Sequence, residues 1–96
     1  MGADIQKLKE QIEPVARQYG VKTVYLFGSQ ARGDATEDSD YDFFIDKGAL
    51  RGFAVFGFEI ALEKLLNRGV DIVTSGMRNE RLKKSIERDK VLLYEA

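Results

Sequence analysis

Asp40 and Asp42 stand two residues apart where the apolar run "YDFFI" begins, and Asp71 stands inside a second apolar run, "VDIV". Side chains alternate faces along a strand, so Asp40 and Asp42 are expected to project from the same side and converge. A carboxylate flanked by apolar residues, as Asp71 is, costs free energy unless positive charge offsets it. If the two runs are neighbouring strands, the three aspartates form an oxygen donor set for hard divalent cations, magnesium or manganese. Two such ions suit in-line attack on a phosphoryl group, because together they stabilise the attacking and the leaving oxygen. Each aspartate alone has a plainer reading, Asp40 and Asp42 as an acidic loop that solvates a strand end and Asp71 as an edge residue facing water. The coincidence of all three favours the metal site.

Phosphate has its own candidate seat. Gly28 and Ser29 follow the apolar run "VKTVYLF" and open a short helical segment, where free backbone N–H groups favour an anion. Glycine lets a phosphate approach the main chain, and the serine hydroxyl can donate to it. Two better-known motifs are excluded. The spacing from Gly28 to Gly33 imitates a P-loop, but Asp34 and Ala35 replace its Lys and Ser/Thr. Asp38, Asp40 and Asp42 imitate the first ligands of an EF-hand, but Phe43 and Ala49 stand where glycine and the bidentate glutamate are required. Arg-Gly-Asp at 32–34 is a chance tripeptide.

Composition narrows the chemistry further. Cysteine and histidine are both absent, which excludes disulfides, thiolate and imidazole metal sites, cysteine nucleophiles and histidine-based triads. Catalysis must then use carboxylates, hydroxyls, Lys, Arg and backbone amides. The net charge of -1 gives no general attraction for nucleic acid, and direct nucleic-acid binding is not expected. Charge is nonetheless uneven. Glu37, Asp38, Asp40, Asp42 and Asp46 gather in one stretch, while Arg78, Arg81, Lys83, Lys84, Arg88 and Lys90 crowd the C-terminal segment, which reads first as a solvated helix face.

The elements that must position these residues are legible from periodicity. The 96 residues are read as one domain, 1–96, with 44% apolar and 32% charged residues, an ordinary soluble composition. No apolar run approaches the roughly 20 residues that span a bilayer, and no signal-peptide core is evident, so a cytoplasmic location is expected and a membrane partner is not. Ile5, Leu8, Ile12, Val15, Ala16 and Tyr19 predict an amphipathic helix ended by Gly20, with Pro14 expected to kink or divide it. Strands are predicted over 21–27, 41–45 and 70–73. A helix carrying Phe58, Leu62, Leu65 and Leu66 on one side lies between the last two, its start left open by Gly52 and Gly57. A final helix over 79–88 turns Leu82 and Ile86 inward, and 91–94 is a short closing strand or an apolar tail. This order specifies an α/β (α+β) fold, a small mixed β-sheet flanked by helices.

"GSQARGDATEDSDYDFF" with "VDIV" downstream resembles the polymerase-beta-like nucleotidyltransferases, in particular the minimal members that are little more than a catalytic core. Gly-Ser, a ten-residue spacer and Asp-x-Asp carry the resemblance, which extends from Val21 to the closing "VLLYE". It implies transfer of a nucleoside monophosphate, with ATP the expected donor, to an acceptor hydroxyl with release of pyrophosphate. Gly28 and Ser29 would hold the triphosphate. Asp40 and Asp42 would bind two Mg2+ ions, with Mn2+ an alternative, and Asp71 would complete the catalytic metal and help activate the acceptor. Arg32 also matches the pattern, either touching phosphate or bracing the loop.

Minimal members resemble the antitoxin half of a two-gene module whose other half is an α-helical HEPN toxin, so the implied acceptor is a tyrosine of a HEPN-type partner. Two other readings stand beside this one, a binding module that neutralises its partner without catalysis and a small-molecule nucleotidyltransferase acting on antibiotics. Self-association into a homo-oligomer is compatible with all three. The glycine-rich segment 46–57 matches no function.

Overall fold

The computed structural model describes residues 4–36, 38–46, 48, 50–76 and 79–96. Glu37 of the acidic run and Arg78 of the basic run therefore lie outside the described residues, as do positions 47 and 49 of the glycine-rich segment.

The first apolar stripe makes helix α1, Ile5–Tyr19, which buries Leu8, Ile12 and Ala16. The Asp4 carboxylate accepts the Lys7 N–H at 3.2 Å and caps its start, and Gly20 ends it as expected. The expected division at Pro14 does not occur, because α1 runs through it as one helix. Pro14 and Glu10 both lie on the exposed side, so the carbonyl deprived of its donor can be met by water while the buried stripe continues.

Among the described residues four strands form one mixed sheet in the order β3-β2-β1-β4. They are β1 (Thr23–Phe27), β2 (Tyr41–Asp46), β3 (Val70–Thr74) and β4 (Val91–Glu95). β1 begins two residues later than periodicity suggests, since Val21, although buried, spends its N–H on the Ala16 carbonyl at 3.1 Å and closes the helix end instead. The closing apolar run is a strand, β4, antiparallel to β1. β1 and β2 are also antiparallel, whereas β2 and β3 run parallel, joined by helix α3 (Phe53–Leu66). The one-turn helix α2 (Ser29–Arg32) follows β1, and α4 (Glu80–Asp89) precedes β4.

One face of the sheet is the core. Val24 pairs with Ile45 and Leu26 with Phe43, and all four are fully buried beneath Leu8, Ile12, Phe58 and Leu62 of α1 and α3. Each such side chain contributes about 1.5–3 kcal/mol of apolar burial. Leu65, expected on the buried side of α3, is exposed at the last turn, beside a cleft lined by Lys7, Gln11 and Arg68. On the opposite face Tyr25 and Phe44 approach to 6.1 Å between ring centroids, and α4 buries Ile86 while Leu82 is half-buried. Helix α4 is an exposed face with local pairing, Lys90 with Glu87 and Arg88 with Asp89. No helix among the described residues is long and apolar enough to cross a membrane.

Candidate active site

The parallel register of β2 and β3 sets Asp42 directly beside Asp71. One step toward the start of both strands, the Tyr41 N–H bonds the Gly69 carbonyl at 3.0 Å, which sets Asp40 beside Gly69. Asp40, Asp42 and Asp71 thus share one face at one end of the sheet, as their spacing implies. Gly69 is what admits Asp40: a Cβ there would lie 2.5 Å from its Oδ1 and 2.8 Å from its Cγ. The carboxylate occupies the space a side chain would need.

The convergence expected of all three is only partly met. As the side chains stand, no three carboxylates among the described residues are grouped to hold one ion. Asp42 and Asp71 come within hydrogen-bonding reach of each other, while Asp40, exposed and repelled by its neighbours, rests over Gly69. Asp71 is also exposed, contrary to the expectation of a buried carboxylate, because β3 is the sheet edge and water reaches it there. The desolvation falls on half-buried Asp42. Burial first, then the Asp71 charge, a hydrogen bond with Asp71 and the Asp40 charge push the Asp42 carboxyl above the usual carboxylate range, with Arg32 opposing.

Gly28 closes the site from β1. Its φ of 76° and ψ of -156° fall in a region almost reserved for glycine, and a Cβ would collide with the Asp42 carboxylate. Two requirements therefore meet at one residue. The carbonyl of Gly28 accepts the N–H groups of Ala31 and Arg32 at 3.1 and 3.0 Å, which builds α2 and leaves the first-turn amides of Ser29 and Gln30 without an intrahelical acceptor. With four residues α2 has little dipole, so its amides and the Ser29 hydroxyl are what it can offer an anion.

Arg32 is braced on both sides. Its Nη1 donates to Asp89 Oδ2 at 2.8 Å and its Nε to Asp34 Oδ2 at 3.2 Å. The side chain of Asp89 is only 4% exposed and also receives Arg88 Nε at 2.9 Å. Sequence reading missed Asp89, which sits in a basic run, and Gln30, which is buried and donates from Nε2 to the Ser39 carbonyl at 3.3 Å. Gly69, which stands just before the strand predicted over 70–73, has no part in the site that the sequence predicts. The one signal available was position: Gly69 stands two residues before Asp71, as Asp40 does before Asp42. Of the remaining acids, Asp38 is exposed and Asp46 accepts the Gly48 N–H at 3.3 Å.

Residues 10–96 match the family described as polymerase beta, nucleotidyltransferase. The chain belongs to this family. It is a nucleotidyltransferase, and its relatives agree. A Methanocaldococcus jannaschii protein named as a candidate protein adenylyltransferase is 41% identical over 78 residues, 77% of this chain and 78% of its own length. The protein adenylyltransferase MntA of Thermococcus cleftensis is 35% identical over 75 residues, covering 77% of this chain and 76% of that one. In fold, the chain superposes with a TM-score of 0.71 and 20% identity on a chain from the complex of tri-AMPylated Shewanella oneidensis HEPN toxin with MNT antitoxin, over 96% of this chain and 73% of that one.

The donor set of this nucleotidyltransferase fits a divalent cation. Two facing carboxylates carry the Asp42–Asp71 contact, a third stands at its border, and among the described residues Arg32 is the one cation that bears on Asp42. Such a set asks for a hard cation with oxygen ligands.

Proposed function

We propose that this nucleotidyltransferase transfers AMP from ATP to a tyrosine hydroxyl of a HEPN-type partner protein, and so acts as the antitoxin of a pair, with the chain 1–96 serving as one catalytic domain. The observation that carries the reading is the Asp42–Asp71 pair, two carboxylates within hydrogen-bonding reach of each other, with Asp42 pressed against Gly28. The names of the relatives support protein as the acceptor, and the toxin complex supports AMP and the HEPN class.

In this reading the acceptor oxygen attacks the α-phosphorus, a new P–O bond forms, and the bond from that phosphorus to the bridging oxygen breaks to release pyrophosphate. The hydroxyl proton passes to a nearby carboxylate, Asp71, which is exposed at the sheet edge. Amides of Ser29 and Gln30 and the Ser29 hydroxyl hold phosphate oxygens, and Gly28 lets them lie beside Asp42. Asp40, Asp42 and Asp71 would hold two magnesium ions, whose chemistry is to neutralise charge on the phosphoryl group and to lower the pKa of the acceptor hydroxyl. Arg32, tied to Asp34 and Asp89, would act as a positioning residue that braces α2.

The test is transfer of label from α-labelled ATP, with magnesium, to the HEPN-type protein encoded beside this chain's gene. Label on a tyrosine is expected, and it should disappear with Asp40→Asn combined with Asp42→Asn. Label that persists in the double variant removes Asp40 and Asp42 from the chemistry.

A further inference from the structure

Helix α3 is apolar on more than its buried side. Phe53 is 92% exposed, Phe56 61% and Ile60 42%. Their spacing of three and four residues puts them on one stripe. Single exposed apolar residues are ordinary, but a contiguous stripe ending in two phenylalanines marks a contact surface.

The stripe meets the edge strand of the site. Phe53, Phe56 and Glu59 line, with Ile72, one open cavity of about 290 Å³; Ile72 turns toward α3, and Asp71, its neighbour in β3, turns to the other face of that edge. Glu59 lies one helical turn beyond Phe56, a rise of about 5 Å along the axis. Burial first, then the charges of Glu63 and Asp71, push the Glu59 carboxyl above its usual range, so the helix acid and the strand acid feel each other. Neither Glu59 nor Glu63 has an ion-pair partner among the described residues. An apolar stripe with the unpaired acids Glu59 and Glu63 along one side, and Lys64 one turn beyond Ile60, calls for an occupant with apolar side chains and cations set opposite the acids.

We propose that the Phe53, Phe56 and Ile60 stripe with its Glu59 and Glu63 border is the seat of the acceptor protein, whose docking face is apolar and flanked by lysine or arginine, and which thereby presents its hydroxyl at Asp71. The proposal rests on the protein-adenylylation reading and deepens it. Phosphate binding belongs to Gly28 and Ser29 at the sheet end, while acceptor affinity belongs to α3.

The two are separable by measurement. In Phe53→Ser combined with Phe56→Ser, both positions being exposed, thermal melting and ATP affinity should stay within error of the native chain. Affinity for the HEPN-type protein of the transfer assay, measured by calorimetry with Asp40→Asn and Asp42→Asn added to prevent turnover, should fall at least tenfold. The acceptor KM should rise by a similar factor with kcat at saturation little changed. Glu63→Lys should weaken the complex severalfold and flatten its salt dependence. Unchanged Kd and KM in the double serine variant overturn the proposal. So does a variant that turns an oligomer into a monomer by sedimentation while HEPN affinity holds, since the stripe would then seat a second copy of this chain. Binding that depends on the stripe but yields no AMP transfer removes the adenylylation reading and keeps the seat.

Discussion

Asp42 and Asp89 are both withdrawn from water, and Arg32 acts on both, yet the chain treats them in opposite ways. Asp89 receives N–H donors from Arg32 and Arg88, and these bonds, Arg88's first, hold its carboxyl below the usual range. Asp42 meets another carboxylate instead, and its carboxyl is pushed up. Where a carboxylate braces the fold, the chain provides its own cations; at Asp42 it leaves the charge for a ligand to meet. Perturbation of this second kind is what active sites retain.

The largest effect should come from removing the charge at Asp42. Asp42→Asn keeps the shape, and AMP transfer is expected to fall about a thousandfold or more, the scale of lost charge stabilisation in a transition state. The folded state should gain, because burial of a charge and repulsion by Asp71 both disappear, so the melting temperature measured in EDTA should rise. A variant that loses activity and melts lower would mean that Asp42 is structural after all, and the contrast with Asp89 would collapse.

The glycines come next. Gly28→Ala places a Cβ in a conformation that costs about 1–3 kcal/mol and against the Asp42 carboxylate, so denaturant midpoint and activity should fall together. Gly69→Ala sharpens the distinction, since its Cβ meets only the movable end of Asp40. Stability should change little and transfer should drop by up to about a hundredfold, as expected when a ligand side chain is misplaced by about 1 Å. Equal loss of stability in the two variants would deny Gly69 its separate role.

These residues also mark what was legible beforehand. The three aspartates and the Gly-Ser turn could be read because their chemistry is local: side-chain alternation places Asp40 with Asp42, and glycine after an apolar run announces a close backbone approach. The strands and helices followed from periodicity for the same reason. What escaped depends on register and partners. Gly69 matters because parallel pairing with β2 puts it beside Asp40, and Asp89 because α4 returns across the sheet to meet Arg32 from 57 residues away. The exposure of Asp71 follows from β3 being an edge, a property of strand order that an apolar flank does not reveal. Pro14 did not divide its helix, since an exposed proline can be passed by a helix whose buried stripe is intact.

The smallest effect, and the cleanest comparison of the two carboxylates, is pH dependence of stability. The Asp89 pKa is lowered in the folded state, so its contribution is fully present above the unfolded value of about 3.9 and is lost as pH falls through the folded value. The Asp42 pKa is raised, so its ionised form opposes folding above the folded value, and acidification relieves the opposition. Melting curves of the native chain, Asp89→Asn and Asp42→Asn from pH 7 to about 2.5, in EDTA, should therefore diverge in sign. Asp89→Asn should melt below the native chain at pH 7 and approach it only at acid pH, below the ordinary carboxylate range. Asp42→Asn should melt above the native chain at pH 7 and meet it as pH falls toward that range from above, because a protonated aspartate carries no more charge than asparagine. If both variants shift in the same direction at pH 7, the chain compensates the two carboxylates alike, and Asp42 has no uncompensated charge to attract a cation.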